Sequence, residues 1–143
     1  MTLELRATPE EVMRAVEALQ AFASQRGVLE RDIFALALAL EECASNVVNH
    51  GLQRDATRSF RVRFEHSPNE LSFELRDGGR EFDPTVAVPK RATDEEPLGG
   101  WGIDLVRRYS DEIRYRREGG QNVLRLTRRL GQPDSTKPFP SHK

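Results

Sequence analysis

One stretch decides the fold: Phe34-Ala-Leu-Ala-Leu-Ala-Leu-Glu-Glu-Cys-Ala-Ser-Asn-Val-Val-Asn-His-Gly51. Its apolar residues recur at steps of three and four, which is the period of an α-helix with one buried face. We expect this helix to run from about Glu30 to His50 and to end at Gly51 in a left-handed cap. Its first half is apolar on nearly every side, so the helix should lie deep in the protein.

Polar residues enter in the second half of this helix. Glu42 and Asn46 are four residues apart, so they point the same way, roughly opposite the core stripe. One interpretation is a solvent-exposed back face. The other is a site in which Glu42 handles a proton and the carbonyl oxygen of Asn46 binds a hard cation such as Mg²⁺. Spacing alone leaves both open, whereas Cys43 on the core stripe is typical of a small packed hydrophobe.

Length and composition set the class of protein. The 143 residues, 37% of them hydrophobic, suit one compact domain. A formal charge of −1 points neither to nucleic acid nor to a membrane, and the single cysteine excludes an intramolecular disulfide. No apolar run reaches the ~20 residues that cross a bilayer, and the N-terminus lacks the apolar core of a signal peptide. We therefore expect a soluble, cytoplasmic protein.

The remaining elements follow from local patterns. In chain order, we expect an edge strand at Thr2–Arg6, a helix from the Thr8 cap and Pro9 to Gly27, strands around Phe60–Phe64 and Leu71–Leu75, a long loop to Leu98, a helix opened by Gly99–Gly102, and strands at Ile113–Tyr115 and Val123–Leu126 joined by Glu118–Asn122. Residues 1–130 should form the domain, and residues 131–143, rich in proline, a disordered tail. The order favours an α+β fold, a two-layer α/β sandwich with helices on one face of a mostly antiparallel sheet.

Arginines are numerous on these elements, and we expect them on the outward side. Solvated faces balanced by Glu and Asp are the main interpretation, and a partner-binding surface is the other. No interleaved exposed aromatics support nucleic-acid binding. The set is Arg58, Arg61, Arg63, Arg107, Arg108, Arg114, Arg116, Arg117, Arg125, Arg128 and Arg129.

Two glycine-rich stretches carry further signals. Asp77 continues the parity of Phe73 and Leu75, so its carboxylate should point beneath the helices and accept a hydrogen bond from a ligand amino group, although Asp-Gly-Gly alone is commonly just a turn. Gly99-Gly-Trp-Gly102 precedes a helix, where backbone amides can bind an anion. It matches neither a Walker A loop nor a Rossmann fingerprint, and alone it can be a plain hinge.

Together the three stretches resemble the N, G1 and G2 boxes of the GHKL ATPase superfamily. They are Glu42-x-x-x-Asn46 ending in His50-Gly51, Asp77-x-Gly79-x-x-Phe82-Asp83-Pro84, and Gly99-Gly100-x-Gly102-Ile103-x-Leu105. The detail is similar to the bacterial anti-sigma factor serine/threonine kinases, over about residues 2–130. The resemblance implies the Bergerat, or GHKL, ATPase fold.

The resemblance also implies roles for single residues. Asn46 would coordinate Mg²⁺ on the ATP phosphates, and Asp77 would bind the adenine amino group, with Gly79 letting the base sit close. Gly100 and Gly102 would let backbone amides cradle the phosphates. Glu42 would take the proton from an attacking serine hydroxyl. Residues 84–98 would form the ATP lid.

Some positions depart from the family pattern. Glu81 stands where many relatives have a second G1 glycine, and the bulky Trp101 lies between the G2 glycines. A family threonine in the last strand would match Thr127, but alternation places Thr127 with Arg125, away from the site. Lys90 or Arg91 of the lid can reach a γ-phosphate, although solvation is the simpler expectation for both.

The predicted function is that of an ATP-binding anti-sigma factor with serine/threonine kinase activity. The resemblance implies a sigma factor and a STAS-type anti-anti-sigma protein as partners, and a homodimer as a possible state. One alternative is a nucleotide-dependent switch module that binds a partner without phosphorylating it. Another is the detached catalytic domain of a histidine kinase, which is disfavoured because no dimerisation helices with a phosphoacceptor histidine are present.

Overall fold

The computed structural model describes residues 1–84 and 106–131. The elements are β1 (Thr2–Arg6), α1 (Pro9–Gln25), α2 (Glu30–Asn46) with a π-helical turn (Val47–Gly51), β2 (Ser59–Ser67), β3 (Glu70–Asp77), β4 (Glu112–Glu118) and β5 (Gln121–Arg129). The strands form one antiparallel sheet in the order β1-β2-β3-β5-β4. The helices cover one face of it, so the predicted α+β sandwich with an edge strand at Thr2–Arg6 is confirmed.

Helix α1 begins as its sequence predicts. Thr8 has extended backbone, and its hydroxyl oxygen accepts a hydrogen bond from the Glu11 amide at 3.3 Å, while Pro9 occupies the first helical position. Residues at three- and four-residue steps along the helix are buried. This stripe packs against α2 and the sheet and anchors the helical layer.

Alternation along β2 and β3 builds the other half of the core. Phe64 lies opposite Phe73, and Val62 opposite Leu75, all four on the helix side of the sheet. The Phe64 ring also lies 5.6 Å from the ring of Phe22 on α1, measured between centroids. Because the register fixes which side chains face the helices, it also fixes the direction of Asp77 at the end of β3.

The end of α2 differs from the prediction. The regular helix stops at Asn46, and the amide of Leu52 donates to the carbonyl of Val47, five residues earlier. The predicted left-handed cap at Gly51 is wrong, since the left-handed residues are Gln53 and Arg54. Single π turns occur frequently at functional sites, and this one lies beside the cleft described below.

The last hairpin is tighter than expected. Its turn consists of Gly119 and Gly120 alone, both with positive φ, which is the geometry of a two-residue hairpin. The predicted loop Glu118–Asn122 is therefore wrong. Gln121 and Asn122 belong to β5, and Asn122 pairs directly with Asp77 in the sheet register.

The arginine prediction holds for most of the sheet and fails at two positions, Arg117, which shares the helix side with Tyr115 and Asn122, and Arg128. Alternation places these residues on the face away from the helices: Arg61, Arg63, Arg76, Arg114, Arg116 and Arg125. Arg128 instead shares the helix side with Leu124 and Leu126, and it is buried. Its guanidinium lies 2.7 Å from the carboxylate of Asp32 on α2.

Several predictions lie outside the described residues. They are the G2 glycines Gly100 and Gly102, Trp101, Lys90 and Arg91, nearly all of the lid 84–98, and the tail from residue 132 onward. Of the helix after the G2 box, residues 106–109 are described and helical, with Val106 and Tyr109 buried. Within the described ranges no helix is long and apolar enough to cross a membrane. The division at residue 130 stays a prediction.

Candidate functional site

A cleft opens where the end of α2 lies over the ends of β3, β4 and β5. It measures about 370 Å³, counting the space open to solvent. Its polar lining comes from Asn46 on α2, Asp77 at the end of β3, Tyr115 on β4 and Asn122 on β5. Most of the other lining residues are apolar: Cys43, Val47, Leu75, Phe82, Pro84 and Leu124. An apolar cleft with a few converging polar groups is the usual form of a small-molecule site.

Asp77 lies at the base of this cleft, and its inward direction is confirmed. It is 5% exposed. One carboxylate oxygen, Oδ1, accepts hydrogen bonds from the Gly79 amide at 2.9 Å and from the Asn122 side-chain amide at 3.1 Å. Both donors are neutral, and Asp77 has no guanidinium or ammonium partner among the described residues.

The second carboxylate oxygen of Asp77 is available to a ligand. No described residue donates a hydrogen bond to Oδ2. Every deeply buried side-chain nitrogen or oxygen in the described part of the chain has a partner, so Oδ2 must reach open space. The open space beside Asp77 is the cleft. An unpaired acceptor at the base of an apolar cleft is expected to select ligands with an N–H or O–H group.

Two glycines make this geometry possible. A Cβ on Gly79 would lie 2.1 Å from the carbonyl oxygen of Gly51, and a Cβ on Gly51 would lie 3.2 Å from Oδ1 of Asp77. The π turn at the end of α2 therefore fits directly against the loop after β3. In the structure, the close neighbour of Gly79 is the backbone of Gly51. The expectation that Gly79 lets the adenine base sit close remains a prediction.

Glu42 and Asn46 lie on the side of α2 between its buried face and its exposed face, and not on an exposed back face. Both are half-buried, and Asn46 lines the cleft. The side-chain amide of Asn46 makes no hydrogen bond to the described residues. Its oxygen is thus free to bind a ligand or a cation. The described residues include no cluster of three or more His, Cys, Asp or Glu that could hold a metal.

Glu42 and the adjacent Cys43 both have raised pKa values, but the consequences for the two side chains differ. Burial raises the pKa of the Glu42 carboxyl above its ordinary value, and the negative charge of Glu41 raises it further. A carboxylate with a raised pKa is a better proton acceptor near neutral pH. Burial also raises the pKa of the adjacent Cys43 thiol far above its usual range, so this thiol stays protonated and inert, as expected for a core residue.

The structure thus brings Asn46 and Asp77 into one cleft, with Glu42 one helical turn before Asn46. Gly79 lies beside them, and Gly100 and Gly102 are not among the described residues. Thr127 lies on the opposite face of the sheet, across from Ser72 and Glu112. Leaving Thr127 out of the site agrees with this position.

Asn122 is the site residue that the sequence prediction missed. The signal was present: Gly119-Gly120 favours a two-residue hairpin, which places Gln121 and Asn122 in the strand. Strand parity with Leu124 and Leu126 then turns Asn122 toward the helices. Treating Glu118–Asn122 as one loop concealed this parity.

Comparison with known proteins gives independent information on this chain. The model of the histidine kinase-like ATPase domain matches residues 5–128. A Bordetella bronchiseptica protein named serine/threonine-protein kinase BtrW is 30% identical over 129 residues, which cover 88% of this chain and 91% of the relative. The serine-protein kinase RsbW of Bacillus subtilis is 27% identical, covering 85% of this chain and 80% of its own length.

A solved structure shows the same fold. The crystal structure of the RsbU and RsbW domains of a Mycobacterium tuberculosis protein superposes with a TM-score of 0.66 at 20% identity. The match covers 93% of this chain and 33% of that longer one. The resemblance to the GHKL ATPases is confirmed, and the names of the relatives agree with the predicted kinase class. The chain therefore belongs to the family of histidine kinase-like ATPase domains, in the group of bacterial serine/threonine-protein kinases that includes BtrW.

Proposed function

We propose that this chain is an ATP-dependent serine/threonine protein kinase that acts as an anti-sigma factor. It holds a sigma factor and phosphorylates a serine or threonine of a STAS-type anti-anti-sigma protein. The observation that carries the proposal is the arrangement around the cleft. Asp77 and Asn46 offer unpaired oxygens to it, and the half-buried Glu42 lies one helical turn from Asn46.

Asp77 supports binding of an adenine nucleotide. Its free Oδ2 accepts a hydrogen bond from the exocyclic amino group of the base, and guanine has a carbonyl oxygen at the corresponding position. Leu75 and Leu124 supply apolar surface for the faces of the ring. The site therefore favours ATP and ADP over GTP.

Asn46 supports binding of Mg²⁺ with the phosphates. Protein sites usually hold Mg²⁺ through one or two side-chain oxygens, with water and substrate phosphates completing the shell. A single unpaired amide oxygen at the cleft fits that pattern. Bound Mg²⁺ supplies neutralisation of phosphate charge. In the proposal, Gly100 and Gly102 contribute backbone amides on the same side.

Glu42 supports phosphoryl transfer rather than binding alone. Its carboxylate accepts the proton of the substrate serine hydroxyl. The serine oxygen then bonds to the γ-phosphorus while the bond between that phosphorus and the ADP oxygen breaks. The raised pKa of Glu42 suits proton acceptance, and this observation favours a kinase over a switch module that never transfers phosphate.

The test is phosphoryl transfer from labelled ATP to a STAS-domain protein, with three variants. Glu42→Gln keeps the shape of the side chain and should bind ATP nearly as well as wild type, while transfer falls roughly 10²- to 10⁴-fold. Asn46→Ala should lose the Mg²⁺-dependent part of ATP affinity. Glu41→Gln is the matched control, since Glu41 is an exposed acid beside Glu42, and transfer should fall far less than in Glu42→Gln.

The outcomes separate the candidate functions. ATP binding without transfer in the wild type would favour the nucleotide-dependent switch module. Equal loss of ATP binding in Glu42→Gln and Asn46→Ala would make Glu42 part of the ligand shell instead of a base. Absence of any binding to adenine nucleotides would end the proposal.

Glu41 and Glu42 also suggest how the phosphorylated antagonist leaves the kinase. Phosphorylation adds up to two negative charges to the contact serine of the antagonist, beside Glu41 and Glu42. Repulsion should release the product and free the kinase for its sigma factor. The measurement is affinity for the antagonist with its serine unmodified and phosphorylated, at two salt concentrations. Equal affinity for both forms would contradict this switch while leaving the kinase proposal intact.

A further inference from the structure

Asn122 connects the charged groups at the base of the cleft. Its Nδ2 donates to Oδ1 of Asp77 and, at 2.8 Å, to the carbonyl oxygen of Arg80. Its Oδ1 accepts from the Arg117 guanidinium at 3.0 Å, from the Phe82 amide at 3.2 Å and from the hydroxyl of Tyr115. The side chain is 5% exposed, and both of its polar atoms are fully used.

These contacts allow only one orientation of the amide. Tyr115, Arg117 and Phe82 all present donors, so they require the oxygen on their side. Asp77 and Arg80 present acceptors, so they require the NH₂ group. Burial raises the pKa of the Tyr115 hydroxyl, and the charge of Glu81 adds to this, so the hydroxyl keeps its proton and donates. A flipped amide would place its NH₂ group against the donors and its oxygen against the acceptors.

The amide therefore lies between a cation and an anion. The positive end of its dipole faces the Asp77 carboxylate, and the negative end faces the Arg117 guanidinium. Arg117 also donates to the carbonyl oxygen of Gly79 at 2.9 Å, while the amide of the same glycine donates to Asp77. A guanidinium this close would pair directly with the carboxylate if the amide were absent, because a bidentate pair is among the strongest contacts available.

We propose that Asn122 is a positioning residue that keeps Asp77 available to ligand by separating it from Arg117. Asn122 holds Oδ1 with a neutral donor and so leaves Oδ2 turned to the cleft. The Arg117 guanidinium instead binds the carbonyl oxygen of Gly79 in the loop after β3. Asn122 holds Arg80 and Phe82 of the same loop, so the β4–β5 hairpin fixes all three residues. The inference rests on the proposed adenine site and concerns how its selectivity arises.

The experiment measures dissociation constants of the full chain for ADP and for inosine diphosphate, whose base carries a carbonyl oxygen in place of the amino group. Wild type should prefer ADP by about 10- to 100-fold, the value of one hydrogen bond to a charged group. Asn122→Ala should bring this ratio near one, because Arg117 then pairs with Asp77. Arg117→Met alone should keep most of the preference, since Asn122 still donates to Asp77.

The decisive variant is the double change Asn122→Ala with Arg117→Met. Removing the cation releases Asp77, so a preference for ADP of at least about threefold should return. A purely structural role for Asn122 predicts no return, because the second change removes further contacts. An unchanged ratio in Asn122→Ala, or no recovery in the double variant, would overturn the proposal.

A second variant covers the case in which Asn122→Ala does not fold. Asn122→Leu keeps the approximate size of the side chain, but it can neither donate to Asp77 nor accept from Arg117, so Arg117 is again left to pair with Asp77. It should also lose the preference for ADP, and a wild-type ratio in this variant would overturn the proposal. If wild type itself does not distinguish the two nucleotides, the adenine site fails, and this outcome differs from failure of the Asn122 inference alone.

Discussion

Two buried aspartates lie on the helix side of this sheet, and their surroundings differ. Asp32, 3% exposed, pairs with the Arg128 guanidinium at 2.7 Å, and Arg128 also donates to the carbonyl oxygen of Tyr109 at 3.1 Å. Asp77, 5% exposed, has two neutral donors on one oxygen and none from the described residues on the other. One carboxylate has a guanidinium partner, whereas the other has no cationic partner among the described residues and keeps an open acceptor.

This difference distinguishes a ligand site from a structural ion pair. Burial of a carboxylate is costly, and a guanidinium with good geometry offsets that cost within the protein. Neutral dipoles offset only part of it, so Asp77 remains able to gain from a ligand. The Asp32 pair ties α2 to β5 and to the helix that ends at Tyr109, whereas Asp77 lines a cleft. The predictions below test this contrast, beginning with the largest effect.

Removing the cation at the structural pair should have the largest effect. Arg128→Met leaves the buried Asp32 with only the more distant and more exposed Arg31 guanidinium at 3.9 Å, and loss of one member of a buried pair costs about 3–5 kcal/mol. Urea unfolding of the ligand-free protein measures the change. The double variant Asp32→Leu with Arg128→Met should recover most of the loss, because no charge is then buried. A loss below about 1 kcal/mol in the single variant would contradict the structural role of this pair.

Asp77→Asn should affect binding rather than folding. Its carbonyl oxygen still accepts from Gly79 and Asn122, but an NH₂ group replaces Oδ2 and faces the amino group of adenine. Wild type at 100 times the dissociation constant of ATP with Mg²⁺ gains about 2.7 kcal/mol, visible as a melting shift, and GTP should give less. The variant should melt normally without ligand and show little shift. A wild-type shift in the variant would remove Asp77 from the site.

Gly79→Ala tests the packing that holds the loop against the π turn. The added Cβ meets the Gly51 carbonyl oxygen, so about 1–3 kcal/mol of stability should be lost and the donor to Asp77 displaced. Gly78→Ala is the matched control. Its Cβ would lie 3.9 Å from the flexible end of Arg58 and should cost much less. Equal denaturation midpoints for the two variants would show that the close approach does not matter.

The smallest effect concerns the pH dependence of Glu42. A carboxyl whose pKa is raised in the folded state lowers stability once it ionises, so the penalty is absent at acidic pH and grows as pH rises through the raised value. Glu42→Gln removes this penalty. The ligand-free variant should be slightly more stable than wild type at pH 7 and equal to it near pH 4. A gain in stability that is the same at both pH values would contradict its attribution to the ionisation of Glu42.

Local patterns predicted much of the fold and part of the site. The Thr8-Pro9 start of α1 and the alternation of β2 and β3 depend on neighbouring residues, and parity alone turned Asp77 inward. Periodicity did not predict the π turn after Asn46. There Gly51 lies against Gly79 in the loop after β3, and 79 − 51 gives a separation of 28 residues in sequence.

The missing parts of the site have the same cause. Asn122 and Arg128 were assigned to a loop and to an exposed face because their partners, Asp77 and Asp32, lie 45 and 96 residues away in sequence. Pairing over such distances follows from strand order, and the order of β5 between β3 and β4 is not visible in any local pattern.

That strand order also sets the timing of events during synthesis. β5 is the last of the described strands to leave the ribosome, yet β3 needs it as a neighbour, and Asp77 receives its Asn122 donor only then. Chains emerge at about 5–20 residues per second, N-terminus first. A nascent chain that ends before residue 121 thus lacks Asn122 and Leu124, the residues through which β5 lines the cleft.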